Sequence, residues 1–197
     1  MAVEDLVEVL RSQPRASTIR QQQSSLAPVR LDPADGDQFR SALARYATGV
    51  VVVSVNADGI DHAMTANSFT SVSLSPPLVL VCVERDSRFH SAVLGADGWG
   101  VSILTDSSRA AALWFATRGR PLAGQFEGYD VIRGESTGAL LLKRALGRLE
   151  CRTEAIHPGG DHDILVGRVV GLQRPMSADD AGPLVYFRHG FGTVAPE

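Results

Sequence analysis

Four consecutive valines, Val50 to Val53, lie between Gly49 and Ser54-Val55, and no other feature of the chain constrains its fold as strongly. β-Branched side chains have restricted χ1 and favour extended backbone, so residues 49–55 read as a continuously apolar strand. Asp58-Gly59 then supplies the residue pair that a two-residue hairpin turn prefers, which sends the chain back as a second strand over residues 60–73. The unit is strand, turn, strand.

The same logic extends in both directions. Phe39, Leu43 and Tyr46 fall at i, i+4 and i+7, the spacing of an amphipathic helix that Gly49 is placed to end. Residues 78–83 (LVLVCV) form another buried strand, after which Asp86-Ser87 offers an N-cap for a helix reaching Leu94. Residues 99–104 are strand-like, and Asp106 begins a helix to about Ala116. Over residues 147–155 polar and apolar positions alternate, with Arg148, Glu150, Arg152 and Glu154 on a face that meets solvent or a polar partner. Residues 162–173 and 184–188 complete the strands. Hairpin-linked strands with helices inserted in two connections predict a mainly β fold with added helices, an antiparallel barrel rather than a parallel sheet.

With 197 residues, one domain with a short appendage is expected. Residues 1–36 read as the appendage, a short helix (Val3, Leu6, Val7, Leu10) and a Gln/Ser/Arg/Pro linker, and residues 37–197 as the domain. A net charge of −3 from 19 basic and 22 acidic residues gives no global field for nucleic acid or an anionic membrane. The acidic start is unlike a secretory signal, and no apolar run reaches the ~20 residues that span a bilayer, so a cytoplasmic location is expected. Cys82 and Cys151 stand far apart and read as core residues, without a thiolate metal site or disulfide framework.

The common nucleotide-loop, nucleophile-elbow and zinc-helix motifs are absent. Three features remain. In residues 63–77, nine of fifteen side chains are Thr, Ser, Asn or Pro within a strand environment. Such small polar groups suit close approach to a flat, heteroatom-rich ligand, or simply a polar outer strand. Arg85-Asp-Ser-Arg-Phe-His90 opens a helix, where a serine hydroxyl and an arginine fork can receive phosphate, or merely cap the helix. His162 stands where the turn Gly159-Gly160-Asp161 enters a strand, placed for a substrate contact or for bonding its own turn. With no second ligand at suitable spacing, no metal is expected there.

Taken together and in order, G-V-V-V-V-S-V, M-T-A-N-S-F-T-S-V-S-L-S-P-P-L-V-L-V-C-V, G-D-H-D-I-L-V-G-R-V and P-L-V-Y-F-R resemble the flavin reductase domain family. These are the reductase components of two-component flavin-dependent monooxygenases, and the resemblance runs from about Asp37 to the C-terminus. It implies an FMN-binding split β-barrel, a homodimer, and hydride transfer from NADH or NADPH to FAD or FMN. Reduced flavin would then diffuse to a separate monooxygenase. By the same resemblance Thr65, Ala66, Asn67 and Ser68 lie along the flavin ring and ribityl chain, with Ser73 further on. Ser87, Arg88 and His90 come near its phosphate, Phe126 lies near the mouth of the site, and His162 serves the nicotinamide as the catalytic residue. Arg118 and Arg120 read as a solvated basic loop, with attraction of a 2′-phosphate as the alternative. Two other functions stay open: a flavoprotein that keeps its flavin and reduces another acceptor, and a flavin-binding protein without turnover.

Overall fold

The computed structural model describes residues 36–174 and 181–194; the expected helix and linker of residues 1–35 lie outside the described residues. In chain order the elements are α1 (Gly36–Leu43), β1 (Thr48–Gly49), β2 (Val51–Ala57), β3 (Ile60–Ala66), β4 (Thr70–Leu74) and β5 (Pro77–Glu84). They continue with α2 (Arg88–Leu94), β6 (Gly98–Leu104), a 3₁₀ turn (Asp106–Ser108) and α3 (Arg109–Ala116). The last are β7 (Val131–Arg133), β8 (Leu140–Leu142), β9 (Ala145–Gly159), β10 (His162–Gln173), β11 (Val185–Phe187) and β12 (Gly190–Gly192).

Seven strands form the main sheet in the order β3-β2-β6-β9-β10-β5-β4. Every neighbour pair in it is antiparallel. Its two edges are consecutive in sequence, and that fixes its shape. A flat seven-stranded sheet is about 29 Å wide at about 4.8 Å per strand, yet the four Cα steps from Ala66 to Thr70 reach at most about 15 Å. The sheet must curl until its edges nearly meet. They are not joined by a ladder; instead the crossing segment is pinned where the Ser68 hydroxyl accepts the Cys82 N–H of β5 at 3.0 Å. The architecture is the split barrel, and it interrupts the single strand expected over residues 60–73.

The valine run is continuous because both faces of β2 are covered. Val51, Val53 and Val55 point to the concave side, where they meet Val81 and Val83 of β5, Trp99 of β6, Leu165 of β10 and Phe89 of α2. Val50 and Val52 point the other way, into a second core with Leu104, Ala112 and Phe115 of α3, Phe126 and Leu184. The turn forms as expected, with Asp58 and Gly59 both at positive φ (52° and 78°). At Gly167 of β10 a Cβ would collide with the Trp99 indole, so glycine is required for that ring to stay inside.

Two local expectations change and a third is resolved. α1 ends at Leu43 rather than at Gly49, because Thr48 and Gly49 pair with Tyr186 and Val185 as β1. Its apolar stripe, Phe39, Leu43 and Tyr46, is exposed. Helical structure from Asp106 begins as one 3₁₀ turn and becomes α-helix only at Arg109. Finally, of solvent or a polar partner for the face carrying Glu150, the partner holds at this residue: Glu150 is buried, and its carboxylate accepts the N–H groups of Ser136 and Thr137 and the Thr137 hydroxyl, each at 2.8–2.9 Å. A loop that needs an acceptor, not water, determines where that side chain goes.

Candidate active site

A pocket of about 410 Å³ opens where the curled sheet fails to close. Its floor is the end of β3 and the crossing residues Asn67 and Ser68, and one wall is the end of β5 with the turn into α2. The other wall runs from Phe115 of α3 to Gln125, and His162 stands at the start of β10.

The β3 edge explains what the pocket can hold. As an edge strand, β3 pairs only with β2, so alternate residues direct N–H and C=O away from the sheet. The outward carbonyls of Asp61 and Ala63 are taken by Gln125 Nε2 and by the Arg120 guanidinium. Alternation makes Thr65 the next outward residue, and there the covering loop stops and the pocket begins. Its hydroxyl donates to the Ala112 carbonyl at 2.7 Å, fastening β3 to α3 and leaving its peptide edge toward the cavity. An open peptide edge beside Asn67 and Ser68, backed by Phe89 and Phe115, presents both donors and acceptors to a planar heterocycle. That donor set fits an isoalloxazine ring.

Arg120 is the keystone of the covering loop. Besides Ala63 it donates to the Phe115 and Thr117 carbonyls, both at 3.0 Å, and to Gln125 Oε1, while its guanidinium lies over the Phe115 ring. The basic loop is therefore not simply solvated: Arg120 is half-buried and committed, and Arg118 pairs with Glu84. Arg88 donates to the Arg120 carbonyl at 2.7 Å. Burial lowers the Arg120 pKa and the charge of Arg88 adds to this; burial likewise lowers that of His62, followed by repulsion from Arg88, opposed by Asp61.

Ser87 caps α2 as expected, accepting the His90 N–H at 3.1 Å and donating to the Glu84 carbonyl at 2.7 Å. At seven residues α2 has little macrodipole, so any attraction for phosphate rests on Arg88. His162 Nδ1 lies 2.7 Å from an Asp161 carboxylate oxygen, and that contact holds the Asp161 carboxyl below its ordinary value. On the opposite side of β10, Asp163 binds Arg85 through two nitrogens at 2.6 and 2.9 Å and His90 at 2.7 Å. The Arg85 hydrogen bond, then His90, lowers the Asp163 pKa.

Seven of the expected site residues line this pocket: Thr65, Ala66, Asn67, Ser68, Ser87, Arg88 and His162. Three do not. Ser73 sits on β4, where its hydroxyl accepts the Ser75 N–H. His90 turns to Asp163, and Phe126 is buried behind the wall with its ring 5.0 Å from that of Phe115. His62, Glu84 and Gln125 line the pocket without having been singled out; only His62 had a signal, immediately before the polar stretch of residues 63–77.

Residues 43–195 match the model of the flavin reductase like domain. A Streptomyces globisporus protein named NADH-dependent FAD reductase is 42% identical over 145 residues, 73% of this chain and 79% of that one. The reductase component of 4-hydroxyphenylacetate 3-monooxygenase from Thermus thermophilus is 37% identical, over 79% of this chain and 94% of its own. Among solved structures, BorF, the flavin reductase component of a bacterial two-component tryptophan halogenase, superposes with a TM-score of 0.77 at 42% identity. The match covers 83% of this chain and 100% of BorF. The Streptomyces globisporus NADH:FAD oxidoreductase SgcE6, solved in complex with NAD and FAD fragments, gives 0.78 at 37%, covering 85% and 98%.

Proposed function

This chain belongs to the flavin reductase-like domain family, and from that premise we propose how its pocket reduces FAD or FMN with NADH and supplies reduced flavin to a partner monooxygenase. It is an NADH-dependent flavin reductase, as relatives at 38–42% identity are named. The observation that carries the site assignment is the open peptide edge of Thr65 to Ser68 facing His162 across one pocket. When bound there, the flavin ring supplies the capacity to take a hydride from the nicotinamide.

The chain's own residues position and shield. The β3 edge and Asn67 and Ser68 hold the ring by hydrogen bonds, while Phe89 and Phe115 exclude water from one side. In the tautomer that donates from Nδ1 to Asp161, Nε2 of His162 is left as an acceptor for the carboxamide N–H of a nicotinamide. Positioning of two reactants, without a protein nucleophile, is the main contribution. Ser73, His90 and Phe126 then support the site from outside it.

The finer assignments rest on different observations. A homodimer is supported by exposed apolar side chains on β4 and, beyond β5, on β10 and β9: Leu74 (91% exposed), Leu172, Val72 and Ile156. Residues 1–36 are assigned as an appendage to the reductase domain, consistent with a family match that begins at residue 43. No helix of the described residues is long and apolar enough to cross a membrane; a cytoplasmic site of action rests on the supply of NADH there.

The test is anaerobic mixing of NADH with the protein and FAD, FMN or riboflavin, following the oxidised flavin band. Bleaching faster than the protein-free rate is expected. Its absence with all three flavins would overturn the reading. Retention of flavin through exhaustive dialysis would favour a flavoprotein that reduces another acceptor.

A further inference from the structure

Where the floor of the pocket meets its two walls, three basic groups converge without a carboxylate partner. His62 comes from β3, Arg88 from the start of α2, and Arg120 from the loop after α3. Arg88 is bonded to a backbone carbonyl, and Arg120 only to carbonyl oxygens of the backbone and of Gln125. Glu84, also in the lining, is taken by Arg118, and no ion pair joins Asp86 to either arginine among the described residues. Asp61, next to His62 in the chain, is held by both terminal nitrogens of Arg133 and by Asn56. His62 is kept unprotonated at neutral pH by partial burial and by the two guanidinium charges it faces, against the weaker pull of Asp61.

Two cations and a neutral base without a counter-ion form an arrangement that an anion completes. Resting on the flavin assignment above, we propose that His62 takes up a proton as the phosphate groups of the flavin dock beside it and Arg88, with the charge of Arg120, whose N–H groups are all engaged, behind them. The proton comes from solvent and the imidazole becomes imidazolium; only an N–H bond forms. The incoming charge offsets the repulsion that kept the proton away. The hold on a phosphate-bearing flavin is thus strongest below the pKa of His62 in the free protein. It weakens as pH rises through the higher value in the complex.

Calorimetric titration of the full chain with FAD, in two buffers of different ionisation enthalpy near neutral pH, tests this directly. FAD is the informative ligand because its diphosphate does not titrate near neutrality, whereas the FMN monoester does, with a second pKa of about 6. Fractional proton uptake is expected with FAD and none with riboflavin. In His62→Gln the uptake should vanish while riboflavin affinity stays within a factor of a few. The preference for FAD over riboflavin should fall between about pH 6 and pH 8, by at most about tenfold per pH unit for one coupled proton. It should be flat in the variant. Equal uptake with riboflavin, or uptake that persists in His62→Gln, overturns the proposal. If the variant does not fold, the wild-type contrast between FAD and riboflavin still decides. Failure of the wild type to bind any flavin would instead sink the flavin assignment.

Discussion

The two edges of the curled sheet come from one stretch of chain, three residues apart, and meet opposite fates. At the β3 edge the outward carbonyls of Asp61 and Ala63 are covered by Gln125 and Arg120, and the edge opens only beside the pocket. At the β4 edge no strand among the described residues pairs with the side away from β5, and Val72 and Leu74 are exposed. An unpaired edge is a template for another chain. One has been closed by a loop down to an opening at the pocket; the other leaves its apolar side chains uncovered among the described residues.

The largest effect is expected where the covered edge is held shut. Arg120→Ala leaves the carbonyls of Ala63, Phe115 and Thr117 without their donor, and each such loss costs about 1–3 kcal/mol when water cannot replace it. A total near 3 kcal/mol would lower Tm by about 6–12 °C for a chain of this size. Arg120→Lys should recover little, since an ammonium cannot fork to several acceptors. Thermal unfolding as stable as the parent would mean that the loop is fastened elsewhere.

Next in size is the effect across the pocket. His162→Ala should reduce kcat/KM for NADH by about 1–3 kcal/mol, as for one polar contact to a substrate, while flavin affinity stays within a factor of a few. Single-turnover bleaching and flavin titration on the same variant separate the two. Parallel losses would place His162 with the β3 edge as part of the flavin's support.

The open edge should respond in the opposite sense to Arg120. Leu74 is 91% exposed, so Leu74→Asp should alter the stability of one protomer by less than about 0.5 kcal/mol. If β4 lies in the interface, dissociation should rise about tenfold, equivalent to about 1.4 kcal/mol. Light scattering over a concentration series reads this. An unchanged assembly state would show that the exposed leucine has no partner of its own kind.

What the sequence alone shows of this contrast is uneven. The valine run, the Asp58-Gly59 turn and the Ser87 cap are legible because neighbours within a few residues decide them. The break between β3 and β4 is not, since only the closure of a seven-stranded sheet demands it. Nor is Arg120, whose acceptor Ala63 is 57 residues away. Most of the pocket floor could be named from the polar stretch and the family likeness. The wall opposite it, and the exclusion of Ser73, His90 and Phe126 from the lining, depend on how distant segments meet.

The smallest effect tests how the covered edge begins. The Asp61 side chain accepts from both terminal nitrogens of Arg133 and from Asn56, on the same residue whose carbonyl Gln125 covers. Burial pushes this carboxyl up, but the hydrogen bonds from Arg133 and Asn56, with the charge of Arg133, outweigh it and hold the pKa below its ordinary value of 3.8. A depressed carboxylate stabilises the fold above its unfolded pKa, and that contribution is lost as pH falls through the folded value. Asp61→Asn should therefore cost about 1 kcal/mol at neutral pH. The gap between parent and variant urea midpoints should stay constant down to about pH 5 and close below about pH 4. The Leu74 edge should not notice, so the assembly state of the variant should match the parent. A gap that survives at about pH 3 would mean that Asp61 acts through shape rather than charge, and the covered edge would then owe its closure to Arg120 and Gln125 alone.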